Sequence, residues 1–215
     1  MPRTEVIERT LFKFDELSDR AKERARDWYR EASQDDDLLD CMGDDIESIA
    51  KIFGIEFDQD SYQTMGGATR YKSAIYFTGF SCQGDGACFS GRYRYVKGAP
   101  KAIRAYAPQD EKLHAIADAL QAAQRPYFYK LEARVKHSGH YYHEYCTDIE
   151  VTDGDDYGTR DLTAGALAIT EALRDFMRWI YRQLEKESAY RYSAEYVDDN
   201  IRCNEYEFSE EGKIA

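Results

Sequence analysis

The sequence predicts an α+β fold: a single domain in which amphipathic helices pack on an antiparallel sheet built from two hairpins. Three observations carry this expectation. Two glycine-centred turns, Gln83-Gly84-Asp85-Gly86 and Ser138-Gly139, each separate stretches rich in Tyr, Phe, Val and Ile, the pattern of consecutive hairpins. Several other segments repeat apolar residues at helical spacing. No Pro/Ser-rich linker divides the 215 residues, a length that suits one domain with a substantial core.

The elements follow in order. Val6 to Phe14 alternates well enough for a strand, and Ser18 is placed to cap a helix that turns Ala21, Ala25, Trp28, Tyr29 and Ala32 inward. A short helix is expected near Asp44, with Ile46, Ile49, Ala50 and Phe53 on one face and Gly54 as its stop. Tyr71–Cys82 and Ala87–Val96 read as the first hairpin. Pro108 and Asp110 open a helix through Leu113, Ile116, Ala117 and Leu120, which Pro126 ends. Tyr127–Lys136 and His140–Val151 form the second hairpin. Leu162 to about Lys186 carries the longest apolar stripe, Leu162, Ala166, Ile169, Leu173, Phe176, Met177, Ile180 and Leu184. Ser193 caps a last helix, and Glu205–Phe208 adds an edge strand.

The net charge of −12 is unevenly spread. Asp35 to Asp60 holds ten acids against Lys51 alone, Glu144 to Thr159 holds six acids and no base, and Glu195 to Glu211 holds seven acids against Arg202. Ser61 to His143 instead carries 12 Lys/Arg against five acids. Acidic segments repel nucleic acid and steer encounters with basic surfaces; they also serve simply as solvated faces. No apolar run is long enough to span a bilayer, and the residues after Met1 lack the apolar stretch of a signal peptide. Five cysteines, an odd number, fit free thiols in a reducing cytoplasm.

Three constellations are candidates for function. The first is the glycine-rich hairpin, where Gln83, Gly84, Asp85 and Gly86 offer a close backbone approach to a ligand. It lacks the Gly-Lys-Ser/Thr ending of a phosphate loop, and a sharp turn alone also explains it. Cys82 and Cys88 flank the turn and could face each other. The second is His137, His140, His143 and Cys146, a spacing of three with zinc- or iron-ligand chemistry. On one strand, however, His140 and His143 point to opposite faces. A general acid/base role for His140 with Asp85 or Glu144 is a further possibility of this cluster. The third is basic–aromatic interleaving at Arg92-Tyr93-Arg94-Tyr95 and at Tyr127-Phe128-Tyr129-Lys130 through Arg134 and Lys136, which is how sheets bind single strands and equally how a Tyr-rich sheet with outward Arg reads.

The block Tyr76-Phe77-Thr78-Gly79-Phe80-Ser81-Cys82-Gln83-Gly84-Asp85-Gly86-Ala87-Cys88-Phe89 resembles a family of uncharacterised bacteriophage and prophage proteins, some labelled antitoxin-like. Phe12–Ser18, Gly139–His143, Leu173–Tyr181 and Asn204–Phe208 resemble other blocks of it. The resemblance implies a phage origin and brings no catalytic residues. It also implies an accessory role, since small acidic phage proteins often disable a host protein, CRISPR effectors among them.

The expectation is therefore an acidic binding protein of the bacterial cytoplasm that inhibits a host nucleic-acid-handling or defence complex. Asp35, Asp36, Asp37, Asp40, Asp44, Asp45, Glu144, Asp153, Asp155 and Asp156 would meet a basic partner surface, without a membrane or a required cofactor. The alternatives are an enzyme acting on nucleic acid or nucleotide through Gln83/Asp85 and His140/His143, with Tyr93 and Arg94 beside the ligand, and an antitoxin-like regulatory module.

Overall fold

A computed structural model describes residues 9–33, 38–154 and 161–215. The fold is α+β, with antiparallel sheets and six α-helices among the described residues. Contacts divide the chain into two compact units, Met1–Leu38 with Lys186–Ala215, and Leu39–Glu185.

The first unit is organised by helix caps and aromatic packing. Strand β1 (Phe12–Lys13) leads to helix α1 (Asp19–Ala32), whose expected cap forms: Ser18 Oγ accepts from the Ala21 amide. Only Phe12–Lys13 of the expected Val6–Phe14 strand is extended and paired, and Val6–Glu8 lies outside the described residues. The chain returns with α6 (Ala194–Cys203), capped by Ser193, and β10 (Glu207–Phe208), which pairs antiparallel with β1. Phe14, Leu17, Ala21, Ala25, Val197, Ile201 and Phe208 form the core, with Trp28 edge-on to Tyr206 at 5.1 Å. Arg26 grips Asp198 through two hydrogen bonds of 2.6 and 2.8 Å, the bidentate geometry that makes a guanidinium pair specific.

The second unit holds the main sheet. Helix α2 (Leu38–Phe53) starts a turn and a half before the expected Asp44, and Gly54 ends it with φ +85°. Then come β2 (Ile55–Phe57), β3 (Gln59–Gln63), β4 (Thr69–Ser73), β5 (Ile75–Phe77), β6 (Ala87–Phe89), β7 (Gly91–Arg94), α3 (Ala99–Tyr106) and α4 (Glu111–Gln124). Strands β8 (Leu131–His137) and β9 (Thr147–Asp153) and helix α5 (Thr163–Arg191) complete it, α5 running on into the first unit's residues. The sheet order is β2-β7-β8-β9, all antiparallel, with β3–β4 and β5–β6 as separate pairs. The single long hairpin expected around Gly84 is therefore split. Its first arm breaks at Ala74 into β4, which pairs with β3, and β5, which pairs with β6.

Period-2 alternation sorts the main sheet into an apolar and a charged face. Ile55, Tyr93, Leu131, Ala133 and Val135 are buried; α5 reaches this face at Gly165, which lies against Leu131, and its Phe176 meets Phe53 of α2 edge-to-face at 5.3 Å. Buried Gln124 closes the α4–β8 junction: its side chain accepts from the Leu131 amide and donates to the Leu131 carbonyl and to Tyr93 Oη. Those polar groups would otherwise be buried without partners.

Candidate functional site

The structure brings two loops together at one end of the second unit: residues 78–86, which close β5–β6, and residues 138–146, which join β8 to β9. Each is held by its own chemistry. Asp85 folds the glycine loop by accepting from the Cys82 amide at 2.6 Å and the Ser81 amide at 2.9 Å. Those two amides hold its carboxyl below the usual aspartate range. Tyr181 on α5 donates to the Gly79 carbonyl at 3.0 Å, and Phe80 lies 5.4 Å from the Tyr181 ring.

The two loops touch through glycine. A side chain at Gly86 would place its Cβ 2.9 Å from His143 Cα, and one at Gly84 would lie 3.7 Å from the Tyr141 ring. Gly84 also sits at φ +109°, a conformation natural to glycine. The glycines thus do more than turn the chain: they let the histidine loop pack on the hairpin backbone.

In the histidine loop the expected tight turn is replaced by nine residues. The Ser138 amide donates to the Cys146 carbonyl, and the Cys146 amide to the His143 carbonyl. The His137 ring lies 5.3 Å from Tyr76 and 4.9 Å from Tyr142, while its Nε2 donates to the Tyr141 carbonyl at 3.1 Å. Tyr76 in turn donates to Asp60 at 2.7 Å, and burial, then Asp60, raise its phenol.

Glu144, 8% exposed, anchors this loop to α5. It accepts from Arg178 Nε at 2.8 Å and faces His143 Nδ1 at 3.0 Å. That same Nδ1 lies 3.3 Å from the Tyr145 amide, so it serves one neighbour at a time: protonated it donates to Glu144, bare it accepts from Tyr145. Arg178 also binds Glu171 and Asp175, at 2.8 and 2.7 Å. Burial opposes its charge, but the three carboxylates prevail and raise its pKa. Arg174 lies over the Tyr145 ring at 4.8 Å, a cation–π contact.

Several sequence expectations are corrected by this geometry. Tyr93 is 1% exposed and belongs to the core; burial pushes its phenol up to about 12. Arg94 lies on the opposite, charged face and pairs with Glu132 at 3.3 Å. On β7 the ring of Tyr93 and the cations therefore occupy opposite faces, and beyond its end Tyr95 packs on Tyr129 with ring centroids 4.5 Å apart. Glu144 is a buried anchor rather than a surface acid. Cys88 faces Tyr76 across the β5–β6 pair rather than Cys82, which is exposed. Burial, then Cys146, pushes the Cys88 thiol up to about 12.

Among the described residues no three His, Cys, Asp or Glu side chains, His137, His140, His143 and Cys146 included, form a group that could hold a metal ion. His137 is turned toward Tyr141 and His143 toward Glu144, while His140 is exposed. Gln83 is exposed at the tip of the hairpin. Asp40 and Asp44 are exposed on α2, and Asp45 accepts from Tyr106 Oη. Asp153 ends β9; Asp35, Asp36, Asp37, Asp155 and Asp156 lie outside the described residues. Arg174, Arg178 and Tyr181 were not anticipated, although Glu171, Arg174, Asp175 and Arg178 lie three or four apart, the mark of one polar stripe on a helix.

The chain is thus an α+β protein whose polar residues at this end bind one another across two loops and a helix. Residues 38–194 match the family described as "Domain of unknown function (DUF8835)", and the chain belongs to that family. No curated protein and no solved structure matches it. No helix among the described residues is long and apolar enough to cross a membrane.

Proposed function

We propose that the protein binds another protein, docking acidic surface on the basic patch of a partner that handles nucleic acid and inhibiting it by occupying that patch. The observation that carries this reading is how the carboxylates of the second unit are used. Glu144, Asp45, Asp58 and Asp85 are engaged within the fold, by Arg178, Tyr106, Arg134 and loop amides respectively. Asp40 and Asp44 on α2, and Asp148 and Glu150 on β9, are exposed and make no ion pair among the described residues. Asp148 and Glu150 stand opposite Lys136 and Arg134 in the β8–β9 register without closing an ion pair. Exposed carboxylates outside ion pairs steer association with a basic partner. The likeness of the Tyr76–Phe89 block to phage accessory proteins supports an anti-defence role of the anti-CRISPR kind.

The test is capture by tagged protein from bacterial lysate at low and moderate salt, followed by association kinetics with the purified partner. Changing Asp35, Asp36, Asp37, Asp40 and Asp44 to Asn is expected to slow association about tenfold and flatten its salt dependence. An unchanged salt slope overturns the reading.

A further inference from the structure

Strand β9 is the free edge of the main sheet: it pairs with β8 over seven residues and with no other strand among the described residues. The phase of that ladder follows from the bonds at its two ends. The Ser138 amide donates to the Cys146 carbonyl, and the Gly154 amide to the Lys130 carbonyl. Antiparallel pairs alternate between bonded and non-bonded positions, so Asp148, Glu150 and Thr152 exchange bonds with β8. Thr147, Ile149 and Val151 therefore turn their N–H and C=O groups toward the free edge. Side chains alternate in the same phase. Asp148, Glu150 and Thr152 are exposed on the charged face, while Ile149 and Val151 are half-buried on the apolar one.

An edge of this length has no bulge, lysine or proline within it, and the only blunting device it carries is the negative charge of its acids; it is therefore a template for a strand of the opposite charge. Its acids also select the occupant. A second copy paired along the full strand would set Glu150 against Glu150, a like-charge pair directly opposite. Lys or Arg in an added strand would instead meet Asp148 and Glu150 on the side away from Lys136 and Arg134 of β8, and apolar residues between them would extend the sheet's buried face over Ile149 and Val151. We propose that β9 binds an extended basic segment of a partner protein by β-strand addition, the segment alternating Lys/Arg with apolar residues. This deepens the acidic-docking reading and rests on it for the partner's basic character.

The probe is a capped heptapeptide alternating Val and Lys. Its controls are the same peptide with Glu for Lys, and a second with two valines replaced by proline, which keeps the charge but removes ladder donors. The Lys peptide is expected to bind the full chain at least about tenfold more tightly than either control, with slowed hydrogen exchange at the Ile149 and Val151 amides.

Val151→Pro removes an edge-facing N–H and no bond to β8, so it is expected to keep the fold and lose the peptide about tenfold. Glu150→Lys, at an exposed position, should shift preference toward the Glu peptide. Equal binding of the proline control, or unchanged binding in Val151→Pro, overturns strand addition. So does self-association of the protein with β9 amides protected. Partner capture that survives Val151→Pro but fails when Asp40 and Asp44 are neutralised overturns this inference and leaves the acidic-docking reading standing.

Discussion

Removing the two halves of the Glu144–Arg178 pair should give unequal costs, because the pair is asymmetric in burial and in spare partners. Arg178→Ala leaves the Glu144 carboxylate 8% exposed with only His143 beside it, at 3.0 Å. Breaking a buried pair by removing one partner costs about 3–5 kcal/mol, and the remaining imidazole places this case near ~3 kcal/mol. Glu144→Ala leaves a guanidinium whose side chain is 31% exposed and which keeps Glu171 and Asp175. Its loss is one charge-assisted hydrogen bond, about 1.5 kcal/mol. For a chain of this size, with about 2–4 °C per kcal/mol, melting should fall by about 6–12 °C in Arg178→Ala and about 3–6 °C in Glu144→Ala. The double variant should be more stable than Arg178→Ala alone, because no carboxylate is left stranded. Thermal and urea unfolding followed by circular dichroism measure all three. A Glu144→Ala cost equal to or above that of Arg178→Ala, or costs that simply add in the double variant, would refute the reasoning.

Two further outcomes probe the glycine loop. Gly86→Ala should destabilise by about 1–3 kcal/mol, the range for overpacking a filled site, since its Cβ would meet the His143 backbone at 2.9 Å; a neutral result in urea would mean the loops do not pack. Asp85 has a folded pKa depressed below its ordinary 3.8, so its contribution is complete above that value and is lost as pH falls through the lower one. Asp85→Asn should therefore flatten part of the acid limb of a melting-temperature series, leaving the shares of Asp15, Glu23 and Asp161, which are lowered too. An unchanged limb would sink that account.

What was legible in the chain was the local chemistry. Ser18, Asp110 and Ser193 each accept from amides of the helix they precede, because a cap depends only on residues a turn away. The apolar stripe of α5 and the alternation of β8 were readable for the same reason. The histidine loop was not: Gly139 suggested a tight turn, but the path from 138 to 146 is fixed by Arg178, 34 residues further on. β2 and β3 were missed because Ile55–Phe57 is three residues long and β3 is largely exposed, which leaves little periodicity to detect. The placement of Tyr93 was available in principle. In a strand reading Arg-Tyr-Arg-Tyr, period 2 already sends the rings to one face and the cations to the other.

The family match and the charge distribution bear on each other. Residues 38–194 contain all of Leu39–Glu185, the second unit, and little of the first. The loop pair, Arg178 and the β9 edge all lie within that shared region. Four acids of the first unit, Asp15, Glu23, Asp198 and Glu207, face Arg202, Arg26 with Arg30, Arg26, and Lys13 in turn, so that part of the net negative charge stabilises its own fold. The exposed acids that close no ion pair, Asp40 and Asp44 on α2 and Asp148 and Glu150 on β9, belong to the shared region instead. If docking is a property of the family, it should therefore travel with the second unit: exchanging Asp148 and Glu150 for Lys should abolish capture of a basic partner, whereas Glu207→Gln, which frees Lys13, should leave capture intact and cost only the small stability of an exposed pair.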